Sequence, residues 1–492
     1  MICFMEKEIF KYNSKDLRKI LFCFAIIAIF WILPPIEPIT RSGMEVIGIF
    51  IGVVLLLSMV DIVWPVFFCF AILPLTGVVT INDVIAGSLG SWIITFVIAS
   101  FIMTTALNKS GFTSRLTMYY MTRKIVAKSP WIFTFSFYSI AMIIGMFMDQ
   151  VPATAFFLMF SKEVLDKIGY CKDDKYSHIL TMGAVFSVNI GGAMTPISHS
   201  LVMLGLGIFQ EITGETINLL TYMMYAVPVG IALFIMLCLT VRFIIKPDVS
   251  KFENFDIESL KDKNRKEMGL VEKTTVVIFF GTVIMWILPG FLSLFLPKDN
   301  LVLEFLSRFS ITFWAVVAVV LFAIIRINDE PILDLKETIE NNFQWGVILF
   351  ISIGVVLGSI VSKPEVGLND FIIEKLNPVL ANTTSVLIII LLAFVTLFLT
   401  NFASNVTTIT VMTTVAVTIS MGNNPIDPVA IAITTTMCGS LAFVLPSSFA
   451  PIALLHSHEY SNSKLIIFSG VLMIVFSTLL TTFIGYNIIS TI

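Results

Sequence analysis

Residues 148–154 read MDQVPAT and interrupt an apolar stretch, 131–161, whose two flanks are both basic. Lys128 precedes the stretch and Lys162 follows it. Because lysine and arginine favour cytoplasmic loops, both ends of the stretch are expected on the same side of a membrane. About 30 residues are too few for two full spans with a turn and too many for one. The stretch therefore predicts a re-entrant hairpin with its tip at 148–154.

A second stretch, 384–420, repeats this pattern from the opposite face, with TNFASNVTT at 400–408 as its tip. Each hairpin is followed by a span with a polar interruption, NIGGAMTPISHS at 189–200 and GSLAFVLPSSFAP at 439–451. The residues expected to interrupt these two helices are Gly191, Gly192, Pro196 and Pro446. Irregular backbone at membrane depth is tolerated where it lines a cavity or binds something. The four interruptions therefore predict a binding site.

Composition places the whole chain in a membrane. Of 492 residues, 57% are hydrophobic, only 30 are basic and 33 acidic, and the net charge is -3. A soluble core cannot hide so much apolar surface, and no basic surface is left for nucleic acid. We expect an all-α polytopic membrane protein with about eleven transmembrane helices plus two re-entrant hairpins. Basic residues near the start, such as Lys11 and Lys15, put the N-terminus in the cytoplasm, and eleven spans then put the C-terminus outside.

The two halves of the chain resemble each other in order. Residues 91–112 and 344–367 are each an apolar span led by tryptophan that ends at a lysine and a glycine. The expected division is 1–43 (N-terminal segment and first span), 44–244 (first repeat), 245–273 (cytoplasmic linker) and 274–492 (second repeat). Topology gives the two repeats opposite orientations. An inverted repeat with paired broken helices is typical of a secondary transporter with its binding site at the midplane.

Helix ends at the four interruptions supply the expected chemistry. A helix that ends presents carbonyl oxygens, which suit a cation, and a helix that begins presents N–H groups, which suit an anion. Four such ends can hold a carboxylate-type anion beside small cations. A nucleotide-binding motif of the form G-x-x-x-x-G-K-S/T is absent from the sequence, which disfavours a primary pump.

Asp149 and His199 each allow two interpretations. Asp149 is a carboxylate at membrane depth, which is costly unless it is paired or functional, so it is a cation ligand or proton carrier, or else a helix cap. His199 lies beside the first interruption and is an anion contact or proton partner of Asp149, or else a hydrogen-bonded histidine of the helix bundle.

At these positions the chain resembles the divalent anion/sodium symporter family, which includes dicarboxylate, citrate and sulfate carriers. The resemblance rests on ALNKSGFTSRL at 106–116, the tip Ser404-Asn405-Val406, and the segments GGAMTPIS and AFVLPSS. It implies a homodimer in which each protomer has a static scaffold and a transport domain that moves as an elevator. It also implies two sodium sites that flank the substrate, and no cofactor beyond sodium ions or protons as coupling ions.

Matching positions give the site residues that the resemblance implies. The cations would bind at Gly145, Asp149, Gln150 and Ser198 in one site, and at Thr400, Ala403, Asn405 and Ser448 in the other. The anion would contact Gln150, Val151, His199, Ser404, Asn405, Val406 and Phe449. Three of these positions, Val151, Val406 and Phe449, are apolar where the family has hydroxyl side chains, and Asp149 adds a charge.

The sequence therefore predicts a symporter of a small organic or inorganic anion, such as a dicarboxylate, coupled to sodium or protons. The first alternative is a cation/proton antiporter or another permease of the ion transporter superfamily that uses Asp149, and the second is a membrane sensor without transport. Against the sensor, the largest polar segment is the short 245–273 loop. The expected location is a prokaryotic inner membrane, and the expected partners are a small-molecule anion, the lipid bilayer and a second copy of the chain, without nucleic acid.

Overall fold

The computed structural model describes residues 14–489 except 255–267, 298, 342, 344, 381–382 and 423–425. Lys11 and much of the charged part of the 245–273 linker therefore lie outside the described residues. Within the described ranges the only strands are β1 (Arg326–Ile327) and β2 (Glu330–Pro331), which form one antiparallel pair. All other regular structure there is helical.

The helices of the first half are α1 (Ser14–Ile32), α2 (Arg41–Met59), α3 (Trp64–Ile72), α4 (Ile81–Gly87), α5 (Trp92–Lys109), α6 (Phe112–Met121), α7 (Pro130–Phe147), α8 (Gln150–Ile168), α9 (Lys175–Met194), α10 (Ser200–Thr213) and α11 (Leu219–Leu239). Those of the second half are α12 (Leu270–Leu292), α13 (Leu301–Ser307), α14 (Ile311–Ile324), α15 (Leu335–Asn341), α16 (Trp345–Val361), α17 (Leu368–Leu380), α18 (Ser385–Phe402), α19 (Asn405–Ser420), α20 (Pro428–Ser440), α21 (Ala450–Ser457), α22 (Ser463–Leu480) and α23 (Asn487–Ile489). Short 3₁₀ turns lie at Leu73–Thr76, Val126–Lys128, Ser250–Asn254 and Pro364–Val366, and π-helical turns at Thr240–Ile245 and Thr481–Tyr486.

Seven helices among the described residues are long and apolar enough to cross a membrane. They are Arg41–Met59, Ile81–Lys109, Pro130–Phe147, Leu219–Ile245, Leu270–Leu292, Ser385–Phe402 and Ser463–Ile489. Five shorter apolar helical stretches, such as Ser200–Thr213, accompany them. The prediction of an all-α polytopic membrane protein is confirmed, whereas the count of eleven spans stays a prediction.

Both expected hairpins are pairs of helices joined by two residues. Met148 and Asp149 join α7 to α8, and Ala403 and Ser404 join α18 to α19. The first hairpin is longer than its apolar run, because α8 continues through charged residues and ends only at Ile168, before Gly169 with its φ of +88°. Each first arm is 18 residues long and is itself long enough to cross a membrane. The depth of the two tips in the bilayer therefore stays a prediction.

Both broken spans are interrupted at a segment that contains a proline, as expected from the sequence. The first gap, Thr195–His199, separates α9 from α10 and contains Pro196. The second gap, Leu441–Phe449, separates α20 from α21 and contains Pro446. We call these gaps the first break and the second break.

The expectation that Gly191 and Gly192 interrupt the helix is wrong, because α9 runs through both and ends at Met194. A Cβ atom on Gly191 would lie 2.0 Å from the main-chain oxygen of Met142 in α7. A Cβ atom on Gly192 would lie 1.8 Å from the side-chain nitrogen of Gln150. These glycines therefore let the first hairpin pack closely on α9.

The order of elements repeats between the halves. The helices α5 and α16 begin at Trp92 and Trp345, and each is followed by a glycine of positive φ, Gly111 (+82°) or Gly367 (+73°), that opens a short helix. A hairpin, a broken helix and a long helix with a π-helical end then follow in both halves. This order supports the repeat predicted from the sequence, while the opposite orientation of the repeats and the domain boundaries stay predictions.

Candidate functional site

The two tips and the two breaks enclose one cavity of about 250 Å³. Its lining includes the first residue of four helices, Gln150 of α8, Ser200 of α10, Asn405 of α19 and Ala450 of α21. The other lining residues are Phe101, Asp149, Val151, His199, Leu201, Val347, Ser404, Val406, Pro446, Ser447, Ser448 and Phe449. Because one water occupies about 30 Å³ in the liquid, the cavity has room for a small organic molecule.

All seven residues expected to contact the anion border this cavity. Phe101 of α5 and Val347 of α16 also line the cavity, and neither was predicted from the sequence. The sequence held a signal for these two residues, because α5 and α16 are the two matching spans that begin with tryptophan. Ser447 was also missed, although it lies inside the quoted segment 439–451.

Asp149 is both a helix cap and a cavity residue. Its Oδ1 accepts a hydrogen bond of 3.0 Å from the N–H of Val151 at the start of α8. Asp149 also borders a second cavity of about 10 Å³, together with Ser100, Thr104 and Ser198. The hydroxyl oxygens of Ser100 and Ser198 are buried there and have no hydrogen-bond partner. A space of this size suits one small ion or one water.

Gln150 links the first tip to the broken helix behind it. Its side-chain nitrogen donates to the main-chain oxygen and to Oδ1 of Asn189, at 3.3 and 3.2 Å. The side-chain nitrogen of Asn189 donates in turn to the carbonyl oxygen of Ala442 in the second break. The Gln150 Oε1 atom is buried without a partner. The first tip is therefore tied to the second half of the chain.

His199 immediately precedes α10 and its side chain is buried. Its Nε2 atom has no hydrogen-bond partner. Its ring centroid lies 5.6 Å from that of Phe449, which lines the same cavity. A polar atom in this condition is costly unless something else fills its hydrogen-bonding capacity. His199 therefore has a free nitrogen for a bound molecule.

The second tip gathers three of the four residues expected for the second cation site. With its amide nitrogen facing acceptors, Asn405 donates to Oγ1 and to the carbonyl oxygen of Thr400, at 2.9 and 3.3 Å. It also donates to the carbonyl oxygen of Ser448, at 3.2 Å. Ala403 lies in the turn itself, where its N–H donates to the carbonyl oxygen of Leu399. The tip and the second break are thus in direct contact.

Gly145, expected in the first cation site, has a packing role in the structure. A Cβ atom on Gly145 would lie 2.4 Å from the main-chain oxygen of Val188 in α9. Gly145 is absent from the lining of both cavities described above, whereas Asp149 lines both, Gln150 lines the larger and Ser198 lines the smaller.

Asn401, which sequence reasoning did not single out, organises the second break. Its Oδ1 accepts hydrogen bonds from the N–H groups of Phe443 and Val444, at 2.6 and 3.0 Å. Its side-chain nitrogen donates to the carbonyl oxygens of Leu441 and Leu397, at 3.1 and 2.8 Å. The fully buried Asn401 therefore satisfies backbone groups that the missing helical turn leaves free.

An ion-pair cluster fixes the far end of the first hairpin. Glu459, in the turn between α21 and α22, pairs with Lys162 of α8 and with Lys172. These two lysines lower the pKa of Glu459 to about 2. The hydroxyl of Tyr460 donates to Asp166, also of α8. The cluster joins the charged end of α8 to the helix that follows the second break.

A family model assigns almost the whole of this chain. The model, described as the sodium:sulfate symporter transmembrane region, matches residues 14–490. The chain belongs to the sodium:sulfate symporter family. Because this family consists of membrane transporters, the chain is an integral membrane transporter rather than an enzyme, and membership in the family that the sequence resembles is confirmed.

A curated relative and two solved structures are also similar to this chain, the structures in fold alone. An uncharacterised transporter of Methanocaldococcus jannaschii is 22% identical over 348 residues, which are 70% of this chain and 71% of that protein. The YdaH transporter of Alcanivorax borkumensis has a similar fold, with a TM-score of 0.57 at 12% identity over 96% of this chain and 99% of its own. MtrF of Neisseria gonorrhoeae, from a class of antimetabolite efflux pumps, also has a similar fold. Its TM-score is 0.54 at 13% identity, over 97% of this chain and 94% of its own.

Proposed function

We propose that the chain is a secondary active transporter that couples the movement of sodium or protons to that of a small organic or inorganic anion. The observation that carries this proposal is the cavity of about 250 Å³ where four helices begin. N–H groups at a helix N-terminus favour negative charge, and several of them around one cavity suit an anionic cargo. Dicarboxylates are the example that the family resemblance suggests.

The anion lies in the large cavity, against Gln150, Val151 and His199 from the first half and Ser404, Asn405, Val406 and Phe449 from the second. The unpartnered Nε2 atom of His199 supports this placement, because it can donate a hydrogen bond to a bound anion. The unpartnered Oε1 atom of Gln150 accepts hydrogen bonds and suits a donor group of the cargo or a cation. Val151 and Val406 offer no hydrogen bond from their side chains, so at these two positions only backbone N–H groups can orient the cargo.

The cations bind on either side of the anion. In the first site the carboxylate of Asp149 and the free hydroxyl of Ser198 supply oxygen ligands, with Gln150 beside them and Gly145 allowing the close approach of α7. In the second site Thr400, Ala403, Asn405 and Ser448 surround the end of α18. The end of a helix presents carbonyl oxygens, which are suitable ligands for sodium.

An elevator movement is part of the proposal. The hydrogen bonds that join Gln150, Asn189 and the second break, and those that join Asn401 to the same break, support the movement of both hairpins as one body. The homodimer, the prokaryotic inner membrane and a cytoplasmic N-terminus rest on the family resemblance and on the basic residues of the sequence.

A cation/proton antiporter is the second candidate, and the observation that favours it is Asp149. A half-buried carboxylate beside a space for one ion is suited to exchange a proton for sodium. This candidate needs no anion in the large cavity.

Proteoliposomes separate the two candidates. We expect labelled anions from a panel that includes succinate and lactate to enter when a sodium or proton gradient is imposed, and not without one. Asp149→Asn should change the cation dependence of that uptake strongly. If a sodium gradient instead moves protons and no anion of the panel enters, the symporter is wrong and the antiporter stands.

A further inference from the structure

A third cavity, of about 240 Å³, lies beside the first hairpin, between α5, α6, α7 and α12. We call it the apolar cavity, and its lining residues are Leu107, Phe112, Thr113, Leu116, Ile143, Ile144, Phe147, Met148 and Phe280. The hydroxyl of Thr113 donates to the Sδ atom of Met148, so this hydroxyl already has a partner. None of these nine residues lines the two cavities described at the tips and the breaks. The apolar cavity is therefore separate from the proposed sites of the anion and the cations.

Water is a poor occupant of the apolar cavity. A buried water needs about two to four hydrogen-bond partners, whereas a cavity of about 150 Å³ lined by leucine, isoleucine and phenylalanine stays dry and takes benzene. The apolar cavity has the same kind of lining and is larger. An empty space of this size is also unfavourable, because the side chains around it lose their contacts. Hydrocarbon is therefore the chemistry that suits it.

The apolar cavity reaches a surface that faces lipid. Three of the four helices around it, α5, α7 and α12, belong to segments that are long and apolar enough to cross a membrane. Ile143, Phe147 and Phe280 of the lining are partly exposed. On α12, Val277 and Ile284 lie one turn before and one turn after Phe280, and they are 71% and 59% exposed. Exposed apolar side chains along a membrane span contact the bilayer, so the opening at Phe280 faces lipid rather than water.

The same face of α12 carries a positive charge at its start. Lys273 is exposed and lies two turns before Phe280 on this face. Phe280 itself lies about 15 Å along the helix, which is half the depth of a hydrocarbon core of about 30 Å. A lipid whose phosphate contacts Lys273 therefore has the end of its acyl chain at the depth of the apolar cavity.

We propose that the apolar cavity takes the end of an acyl chain of a phospholipid from the surrounding bilayer, with the phosphate of that lipid beside Lys273. Met148 joins α7 to the first tip and lines one side of the cavity, while α5, α6 and α12 line the other sides. A bound chain therefore packs between the first hairpin and three helices outside it. The site goes beyond the proposed function, because it binds neither the cargo nor a coupling ion.

A photoreactive lipid tests the site. The purified full chain is reconstituted in phosphatidylcholine vesicles that contain a trace of phosphatidylglycerol with a diazirine near the end of one acyl chain. After illumination, mass spectrometry of the digested protein locates the adducts. We expect adducts on the lining residues of the apolar cavity to be several times more frequent than adducts on Val471 and Val475, which are exposed on α22.

Variants locate the chain within the apolar cavity. Leu116→Trp fills part of the cavity from α6 and should lose most of the adducts there. Ile143→Phe fills it from α7 with a smaller increase in size, and it serves the same purpose if the first variant does not fold. Val277→Trp, on the exposed face of α12 outside the lining, is the matched control and should keep the adducts.

A second pair of variants tests the position of the phosphate. Lys273→Gln should lower the frequency of adducts in the apolar cavity about fivefold, because a lysine near the membrane surface attracts an anionic lipid. Lys464→Gln, at an exposed position near the start of α22, is the matched control and should leave that frequency unchanged. Equal labelling of the two variants would contradict the contact between Lys273 and the phosphate.

An even spread of adducts over the exposed faces of α12 and α22 in the unmodified chain would overturn the lipid site. Adducts in the apolar cavity that neither Leu116→Trp nor Ile143→Phe reduces would overturn it as well. The distribution in the unmodified chain needs no variant, so poor folding of the variants leaves the test intact. Uptake of labelled anions is measured in the same vesicles. Labelling of the cavity without anion uptake would contradict the proposed function and support the lipid site.

Discussion

The side-chain nitrogen of Asn189 donates a hydrogen bond to the carbonyl oxygen of Ala442, and this bond joins the broken helix of one half to the break of the other. Gln150 of the first tip donates to Asn189, and Asn401 of the second hairpin binds the same break from its other side. A continuous path of hydrogen bonds therefore runs from one hairpin to the other behind the cavity.

Replacement of Asn189 should weaken this path. Asn189→Ala leaves the carbonyl of Ala442 and the nitrogen of Gln150 without that partner, and we expect a loss of about 1–3 kcal/mol of stability. Purified protein in detergent would show a lower thermal midpoint. The pair Gln150→Ala and Asn189→Ala should be non-additive, because both remove the same contact. Additive effects would show that the two side chains do not act together.

Asn401→Ala should be more damaging. It leaves the N–H groups of Phe443 and Val444 buried without an acceptor, and each such group costs about 1–3 kcal/mol. We expect a large fall in the thermal midpoint, or protein that does not purify as a single species. Asn82→Ala, at an exposed position of α4, is the matched control and should change the midpoint little. Equal effects of the two changes would contradict the role given to Asn401.

The approach of α7 to α9 can be tested at a glycine. In Gly191→Ala the new methyl group meets the backbone of α7, which cannot rotate away as a side chain can, and the expected loss is about 1–3 kcal/mol. Gly281→Ala in α12 is the control, because a Cβ atom there meets nothing within 4 Å. The control should be neutral or gain up to about 1 kcal/mol, since alanine favours a helix over glycine.

These glycines show what sequence reasoning can and cannot reach. The two tips and the two breaks were predictable, because polar residues and proline in an apolar run are costly unless they mark irregular backbone. The role of Gly191 was not, because a glycine that permits a close contact and a glycine that breaks a helix look alike without the neighbouring chain. The sequence allowed Asp149 to be a helix cap, and the structure shows that it caps α8. That Asp149 also lines two cavities could be seen only in the folded structure.

The ion pairs of Glu459 give a dependence on pH. Lys162 and Lys172 lower its pKa to about 2, whereas an unperturbed glutamate titrates near 4.5. A lowered pKa in the folded state means that the carboxylate stabilises the fold above the unfolded pKa and loses that effect as pH falls toward 2. Glu459→Gln should therefore lower the thermal midpoint at pH 7. The difference from the unmodified chain should shrink as pH falls from about 4.5 toward 2, and also in high salt.

If the difference between Glu459→Gln and the unmodified chain is the same at pH 7 and at pH 3, the ion pairs do not stabilise the end of the first hairpin. Glu163→Gln is a suitable comparison, because Glu163 lies on α8 next to Lys162 and pairs with Lys167, four residues away on the same helix. Such exposed pairs within one helix contribute little, so its effect on the midpoint should be small at every pH.

Ser100 connects the proposed cation site to a helix outside the hairpins and the breaks. Its hydroxyl oxygen is buried without a partner, and it lines the space of about 10 Å³ that Asp149 and Ser198 also border. A neutral oxygen ligand is worth about 1 kcal/mol, so Ser100→Ala should raise the sodium concentration for half-maximal uptake about fivefold. Uptake at saturating sodium should change little, because α5 keeps its fold and the anion contacts are untouched.

Ser139→Ala is the control. It removes a hydroxyl that donates to a carbonyl oxygen one turn away in α7, and it should leave the sodium dependence unchanged. A Ser100→Ala protein with normal sodium dependence would exclude the Ser100 hydroxyl as a ligand of the cation site.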